Sequence, residues 1–489
     1  MAGDDMSDSP PINLSLIAHT NVGKTTLART LLGHDVGEVR DEAHTTSEAT
    51  PYRLIDTGEG DVLRLWDTPG FGDSARLVNR LRQQGNPIGW FLSAVWDRYS
   101  DRAFWLTQVA VRNVRDQADV ILYLVNASEA PEDAGYLAPE LAVLEWIGKP
   151  VIVLLNQTGQ PRPAEEELED ETRWRHALQQ WASIRDVLSL DAFARCWVQE
   201  LSLFSAIARV LPAERVPSFE RLTASWEARR ERQFSEAMDA LAEPIARAAC
   251  DSTPMPDKSM LNQLGELIGL SQKEDRKMAA AAVRTMGERL RNDLLESAER
   301  LISIHDLKGR AAQELRSKLD DVSATEAPLD ARKAAGIFGL LSGAVSGLGA
   351  DIMAGGLSLG GGMLVGAVLG ALGGAGVAKG VNVARGAKAP VLRWDEAFLD
   401  ALVISAMMRY LAVAHFGRGR GEWREGEYPA FWLEIVTKSV TARKMQLAKI
   451  WKLRDADCSS TAISAELKPV LEDIARVLLR RLHPKRPVA

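Results

Sequence analysis

The sequence has little cysteine, which occurs only at Cys196, Cys250 and Cys458 of the 489 residues. These positions are too far apart for a CxxC metal-binding pair or a compact disulfide framework. We therefore expect all of them to be free thiols in a reducing compartment. Residues 1–11 are acidic and polar, and they lack the basic start and apolar stretch of a signal peptide. The first domain is accordingly expected to be cytosolic.

The chain also lacks an excess of positive charge, since its formal net charge is -7. This charge argues against a role of the whole chain in binding nucleic acid, although local basic patches remain allowed. A hydrophobic content of 46% and a charged content of 26% exclude an intrinsically disordered chain. The length is sufficient for about two to four domains.

Composition changes along the chain and divides it into segments. Residues 12–213 alternate short apolar runs with turn signals and helical periods, which predicts an α/β domain with a mostly parallel sheet flanked by helices. The expected strands are Ile12–Ala18, Pro51–Asp56, Asp61–Asp67, Val120–Val125 and Val151–Asn156. The other predicted segments are a disordered tail at 1–11, a helical domain at 214–333, a glycine-rich hydrophobic hairpin at 334–382 and a C-terminal helical domain at 383–489.

The first expected strand leads into the sequence AHTNVGKT at residues 18–25, and a helical pattern follows. Strand, glycine-containing loop and helix in this order are typical of a P-loop, whose backbone N–H groups and helix N-terminus bind phosphate. Lys24 adds a positive charge and the Thr25 hydroxyl reaches Mg²⁺. Ala18 replaces the usual first glycine, which is a mild departure. The predicted nucleotide-binding residues of this segment are Asn21, Val22, Gly23, Lys24, Thr25 and Thr26.

A second motif, DTPG at residues 67–70, ends the strand that begins near Asp61. In nucleotide switch proteins this aspartate, here Asp67, holds Mg²⁺ through water, and the glycine N–H, here that of Gly70, reaches the γ-phosphate. A switch-I threonine is expected between the two motifs, where Thr46 is our choice and Thr45 the second candidate. The alternative for this stretch is a solvated polar loop.

Taken together, TNVGKTT at 20–26, the threonine pair and WDTPGFGDS at 66–74 resemble the Era-like bacterial GTPases over about the first 200 residues. This resemblance implies GTP and Mg²⁺ as ligands and Lys24, Thr46 and Gly70 as catalytic residues. It also implies that Asn21 helps to hold a K⁺ ion that acts in place of an arginine finger. The alternative for Asn21 is a residue that only shapes the loop.

Phe71 stands where Ras-like GTPases keep the glutamine that positions the attacking water. A phenylalanine side chain has no polar atom and cannot orient water by hydrogen bonding. We therefore expect slow intrinsic turnover that needs a cation, a partner or a second copy of the chain.

The fourth GTPase motif is expected in NQTG at residues 156–159, after a buried strand. Asn156 keeps the asparagine of the usual NKxD pattern, Gln157 replaces the lysine, and Gly159 replaces the aspartate that pairs with guanine. Loss of such a buried polar partner affects base discrimination strongly. GTP remains the expected nucleotide by resemblance, and ATP or relaxed specificity is the alternative. LFSA at residues 203–206 is a weak candidate for the fifth motif.

Two further stretches of the first domain have open interpretations. Residues 72–118 are rich in aromatic residues and arginine, and they form either an extra helical hairpin packed on the sheet or a partner surface that moves with the nucleotide state. The acidic run at 165–171 is interpreted as a solvated helix face.

The most unusual segment is nearly free of charge, since Asp351 is the only charged residue from Ala334 to Ala378. Basic residues flank both ends, which favours both ends in the cytoplasm. Glycine recurs at four-residue intervals, which allows close approach of two helices in lipid. The prediction is a re-entrant or two-span membrane hairpin with Asp351 at its turn, and the alternative is a hairpin buried in a soluble helical bundle. The spaced glycines are Gly339, Gly343, Gly347, Gly362, Gly366, Gly370 and Gly374.

The basic, tryptophan-bearing residues 383–489 either sit on anionic lipid or are solvated faces of a helical bundle. The whole layout resembles bacterial GTPases with a C-terminal domain of unknown function, which implies a multipass membrane protein as partner. We expect a GTPase at the cytoplasmic face of the inner membrane whose nucleotide state controls the helical half, with self-association through the glycine faces and no nucleic acid. The alternatives are a nucleotide-locked membrane scaffold with little turnover and an ATPase.

Overall fold

A computed structural model describes residues 10–33, 48–72, 74–82, 102–158, 162–192, 196–254, 272–307, 381–385, 390–416, 430–455 and 458–484. The described residues fall into two compact units. The first unit is drawn from residues 1–232, 415–422 and 480–489, and the second from residues 233–414 and 423–479.

The first unit is built on a six-stranded sheet with the strand order β2-β3-β1-β4-β5-β6. All neighbouring strands are parallel except the antiparallel pair β2 and β3. The strands β4 and β5 are central and covered on both faces, which is why VILYLV and VIVLL are continuous apolar runs. The strands are β1 (Ile12–Ala18), β2 (Thr50–Asp56), β3 (Val62–Asp67), β4 (Val120–Asn126), β5 (Val151–Asn156) and β6 (Ile184–Ser189).

Helices flank this sheet, as the α/β pattern predicted, and the five expected strands occur with ends shifted by at most one residue. The sixth strand, β6, was not predicted because IRDVLS mixes charged and apolar residues. The helices of this unit are α1 (Lys24–Leu32), α2 (Ser74–Leu81), α3 (Arg102–Asp116), α4 (Leu137–Ile147), α5 (Ala164–Leu178), α6 (Trp197–Val210) and the first part of α7 (Val216–Cys250).

The described part of residues 72–118 packs on the sheet rather than standing free. Phe104 of α3 is buried in the core of the unit, and the backbone N–H of Gly72 donates to the Thr107 hydroxyl at 3.1 Å. The aromatic residues between α2 and α3 lie outside the described residues. In α5 the acidic run is only partly solvated, because Glu171 is buried and accepts a hydrogen bond from the Ser189 N–H at 2.9 Å.

A buried carboxylate fixes the start of α7 to the β2–β3 hairpin. Asp61 is 2% exposed and accepts hydrogen bonds from Nε and Nη2 of Arg221 at 2.7 and 2.8 Å. Ser218 also donates to Asp61. The Arg221 guanidinium holds the pKa of Asp61 below its usual range. The hairpin and the first turns of α7 are therefore expected to behave as one body.

The second unit is mostly helical and includes a small antiparallel sheet that was not predicted, in the order β7-β9-β8. Ser297 of α8 donates to the carbonyl of Ala240 in α7 at 2.6 Å, and Trp451 of α11 donates to Asp400 of α9 at 2.9 Å. Its elements are the rest of α7, β7 (Ser252–Pro254), α8 (Gln272–Ile304), β8 (Val381–Arg385), β9 (Pro390–Trp394), α9 (Glu396–Ala414), α10 (Ala430–Thr441), α11 (Lys444–Lys452), a short 3-10 turn (Leu453–Asp455) and most of α12 (Ser460–Leu482).

The glycine-rich hairpin falls almost wholly outside the described residues. Its last two residues, 381 and 382, are the exception, because they belong to β8. Among the described helices, α9 is long and apolar enough to cross a membrane, with a mean hydropathy of 1.7. However, 78% of that window is buried inside the protein, as in the core helix of a soluble protein, so α9 is weak evidence for a span.

The expectation of free thiols was wrong for two of the cysteines. Cys250 and Cys458 form a disulfide with their Cα atoms 5.6 Å apart, although 208 residues separate them in sequence. Cys196 is buried and is not part of a disulfide. Spacing along the chain could not reveal the pair, because the fold of the second unit brings the end of α7 next to the start of α12.

The Asp61 anchor makes a pH-dependent contribution to stability. Because the folded pKa of Asp61 is lowered, its stabilisation is present above the ordinary carboxyl pKa and is lost as the pH falls through the folded value. We expect Asp61→Asn to lower Tm at neutral pH, with a difference from the wild type that shrinks in acid. Asp56→Asn removes an exposed carboxylate of the same hairpin and should change Tm little. Equal shifts for both variants across the pH range would contradict the anchor.

Candidate nucleotide-binding site

The loop between β1 and α1 has the backbone conformation of a phosphate-binding turn. Asn21 and Gly23 both adopt left-handed conformations, with φ of 65° and 94°. A Cβ on Gly23 would lie 2.9 Å from Nδ2 of Asn156, so both conformation and space require glycine there. Gly23 makes no side-chain cap for α1. The N-terminus of a helix, with its N–H groups and the positive end of its dipole, favours an anion at this position.

Opposite charges are buried beside this loop. Lys24 is 7% exposed and Asp67, at the end of β3, is 2% exposed. Burial lowers the pKa of Lys24 and raises the pKa of Asp67, and each charge opposes the shift of the other. The Thr25 hydroxyl donates to Oδ2 of Asp67 at 2.7 Å.

These groups fit a magnesium polyphosphate. Oδ1 of Asp67 is buried and has no hydrogen-bond partner among the described residues. A hydroxyl and a carboxylate are hard oxygen donors of the kind that Mg²⁺ takes, usually with several waters retained. A phosphate beside Lys24 and a cation beside Asp67 would offset the cost of burying both charges.

The segment after β3 closes against the P-loop through backbone contacts. The Phe71 N–H donates to the carbonyl of Ala18 at 2.9 Å, and the Thr20 hydroxyl donates to the carbonyl of Phe71 at 2.8 Å. A Cβ on Gly70 would lie 3.0 Å from Nζ of Lys24, so only glycine fits there without displacement. The Phe71 side chain is fully buried in the hydrophobic core and offers no group to orient a water.

Asn156 joins the P-loop to the loop that follows β6. It is fully buried at the end of β5, its Nδ2 donates to the carbonyl of Val22 at 2.7 Å, and its Oδ1 accepts from the Ala192 N–H at 2.8 Å. Gln157 follows in a left-handed conformation with φ of 59°. Its Nε2 lies 3.9 Å from the position that a Cβ on Gly23 would take. Asn156, which the fourth motif keeps, and Gln157, which replaces its lysine, thus both lie against the P-loop.

The prediction of the fifth motif at residues 203–206 was wrong. The candidate at 203–206 lies inside α6, where Leu203, Phe204 and Ala206 are core residues. The segment after β6 occupies that place in the fold instead, and its Asp191 is 4% exposed. Asp191 accepts hydrogen bonds from the N–H and the hydroxyl of Thr158 at 2.7 and 2.9 Å. A carboxylate from a neighbouring loop therefore orders the motif that has Gly159 instead of aspartate.

A second unpredicted feature connects the P-loop with the start of α2. Glu140 of α4 is fully buried and lies 2.6 Å from Nδ1 of His19. It also accepts hydrogen bonds from the Tyr123 hydroxyl at 2.8 Å and the Ser74 hydroxyl at 3.3 Å. The His19 ring stacks on Tyr136 with centroids 4.7 Å apart. Burial raises the pKa of Glu140 above its usual range.

The structure brings most of the predicted site residues together. Thr26 is buried in the first turn of α1, and Asn21 is exposed in the loop. Thr45 and Thr46 lie outside the described residues, so the magnesium role of Thr46 stays a prediction. The residues that meet around the loop are Val22, Gly23, Lys24, Thr25, Asp67, Gly70, Asn156 and Gln157.

Comparison with protein families gave two matches. A family described as "50S ribosome-binding GTPase" matches residues 13–157. A family described as "Domain of unknown function (DUF3482)" matches residues 175–466. Comparison with the curated proteins gave no match. The first match agrees with the sheet and the P-loop, and it indicates a P-loop GTPase domain in the N-terminal part of the chain.

Solved structures gave partial likenesses. Era from Aquifex aeolicus bound to GDP·AlF4⁻ shares 20% identity at a TM-score of 0.31, covering 42% of this chain and 58% of that one. Era with MgGDPNP and 16S ribosomal RNA shares 19% identity at a TM-score of 0.31, covering 41% of this chain and 57% of that one. A bacterial selenocysteine-specific elongation factor shares 14% identity at a TM-score of 0.25, covering 44% of this chain and 28% of that one. The chain thus spans little more than half the length of either Era chain, and these likenesses do not extend to activity or partners.

The bridging role of Asn156 can be tested by comparing its alanine variant with that of Asn126, its neighbour in the sheet. Loss of two hydrogen bonds in Asn156→Ala should raise the Kd for GTP by about tenfold to a hundredfold, measured by titration with a fluorescent GTP analogue. Asn126 lies directly beside Asn156 in register, and within the described part of the chain its side chain bonds to Ser128 and Glu129. Asn126→Ala should therefore keep the wild-type affinity. Equal Kd values for the two variants would contradict the bridging role.

Proposed function

We propose that this chain, which belongs to the DUF3482 family, is a membrane-associated GTPase whose nucleotide state controls its helical second half. The observation that carries the nucleotide part is the pair of buried charges, Lys24 and Asp67, with the Thr25 hydroxyl bonded to Asp67 at the N-terminus of α1. Oxygen donors, a buried ammonium and backbone N–H groups together suit a magnesium nucleoside triphosphate.

Each residue of the site has a proposed role. Lys24 stabilises the β- and γ-phosphates, Thr25 and Thr46 bind Mg²⁺, and Asp67 orders the water around the ion. Gly70 presents its N–H to the γ-phosphate. When bound, Mg²⁺ neutralises charge on the phosphate oxygens.

Intrinsic turnover is proposed to be slow. The position after Gly70 carries Phe71, whose side chain is buried in the core and cannot orient the attacking water. A cation, a partner or a second copy must therefore supply the missing stabilisation. Asn21, which is exposed, is the proposed contact for K⁺.

Base selection is proposed to depend on two loops. Gly159 cannot pair with guanine, but Asp191 holds the N–H and hydroxyl of Thr158 beside Gln157. The Ala192 N–H is already used by Asn156. We assign Asp191 a positioning role for the loop that reads the base.

The coupling to the second half is proposed to run through α7. The β2–β3 hairpin connects the switch-I region to Asp67, and its Asp61 holds Arg221 of α7. The same helix continues to Cys250, and its residues from 233 onward belong to the second unit. A shift of the hairpin with nucleotide state would therefore act on a helix that both units share.

Membrane association is supported by composition. Residues 334–378 contain one charged residue, Asp351, with glycines at helical spacing and basic flanks. The proposed location is the cytoplasmic face of the inner membrane, with a multipass membrane protein or a second copy of the chain as partner.

Hydrolysis separates this function from a nucleotide-locked scaffold. Wild-type chain with GTP, Mg²⁺, K⁺ and lipid vesicles should release phosphate, and Lys24→Ala should reduce kcat by about a hundredfold or more, since charge stabilisation at phosphate is lost. Lys149→Ala, whose ammonium bonds to the carbonyl of Ala118, is the control and should keep activity. Absence of turnover in the wild type, or tighter binding of ATP than GTP, would contradict the proposal. Lost turnover with membrane assembly intact would favour the scaffold.

The hairpin is tested by removing it without touching β8. Deletion of residues 334–380 should move the protein from the membrane fraction to the soluble fraction, because α9, the one described helix that is apolar enough to span a membrane, is mostly buried. Unchanged GTP hydrolysis by the deletion variant serves as the control for folding of the GTPase domain. A deletion variant that stays with the membrane would remove the hairpin from the proposal.

A further inference from the structure

Three side chains with soft or borderline donor atoms converge in the first unit. Cys196 precedes α6, His415 follows α9, and His483 follows α12. All three are buried, with exposures of 0%, 6% and 7%. Their ligand atoms lie within 4.8 Å of one another, and the two Nε2 atoms are 3.1 Å apart.

The spacing suits a tetrahedral ion. Zn–N bonds of about 2.0–2.1 Å and Zn–S bonds of about 2.3 Å place neighbouring ligand atoms roughly 3.3–3.6 Å apart. The two imidazole nitrogens are 3.1 Å apart, so a shift of about 0.2 Å brings them to the lower end of this range. The thiol lies within 4.8 Å of both and needs a shift of at most about 1.5 Å, which a rotamer change can supply.

Thiolate with two imidazoles is a ligand set that selects Zn²⁺-class ions and disfavours Mg²⁺ or Ca²⁺, which take oxygen. We propose that Cys196, His415 and His483 bind one Zn²⁺ ion, with a fourth position left for water or another donor.

This zinc site differs from the magnesium site in donors and in place. Cys196 comes directly before α6 and four residues after Ala192, whose N–H donates to Asn156. The ion would join the start of α6 to His415 and His483, which belong to the first unit but lie far along the sequence. Its expected effect is to hold the start of α6 in place whether or not nucleotide is bound.

The test uses the full chain, freed of metal with a chelator and then loaded with Zn²⁺ or Co²⁺. We expect one Zn²⁺ per chain by elemental analysis, and a thiolate-to-cobalt charge-transfer band with the strong visible bands of a tetrahedral Co²⁺ site. Cys196→Ser should abolish the charge-transfer band, and His483→Gln should weaken Zn²⁺ binding at least tenfold in competition with a chromogenic chelator.

Matched controls separate this site from other donors. The double variant Cys250→Ser/Cys458→Ser removes the disulfide cysteines and leaves Cys196, and it should keep the cobalt band. His305→Gln removes a histidine whose Nδ1 contacts the Leu301 carbonyl and should keep the ion.

The wild type and the double variant decide the question even where Cys196→Ser fails to fold. Wild-type chain that binds far less than one equivalent of Zn²⁺, or a cobalt spectrum without a thiolate band, would overturn the proposal. A thiolate band that disappears in the double variant would assign the ion to the other cysteines and would also overturn it.

Discussion

The hydrogen bond from Thr25 to Asp67 is the contact on which the nucleotide site depends. It joins the first turn of α1 to the end of β3, and it lies beside the buried ammonium of Lys24. Two buried opposite charges are costly unless further polar groups satisfy them. Both charges lie at the carboxyl ends of parallel strands, where α/β sheets bind ligands. A magnesium polyphosphate is the ligand that satisfies both charges at once.

The rest of the first unit holds this centre in position. Asn156 ties the P-loop to the loop after β6, and Glu140 ties His19 to Ser74. At the β2–β3 edge of the sheet, the Asp61 carboxylate joins the β2–β3 hairpin to α7. Each of these contacts is made by a buried polar group whose partners lie in separate segments of the first unit, so the phosphate-binding loop is held against its neighbours by hydrogen bonds.

The sequence was informative where a motif lies in one continuous segment. The P-loop and DTPG set local backbone conformation, and they predicted the placement of Lys24 and Asp67 correctly because strand, loop and helix follow directly. Contacts between distant segments were missed. The Cys250–Cys458 disulfide spans 208 residues, and β6 has too few apolar residues to show a strand pattern. Because β6 was missed, the fifth loop was sought inside α6 and Asp191 was overlooked.

Lys24, Thr25 and Asp67 are expected to accept a magnesium nucleoside triphosphate. The most direct measurement is a structure of the chain with a non-hydrolysable GTP analogue and Mg²⁺. We predict the γ-phosphate against the Lys24 ammonium, the ion at the Thr25 hydroxyl, and Asp67 turned from that hydroxyl toward the ion's water shell. A structure at saturating nucleotide in which the loop holds no phosphate and Thr25 still bonds to Asp67 would contradict the account.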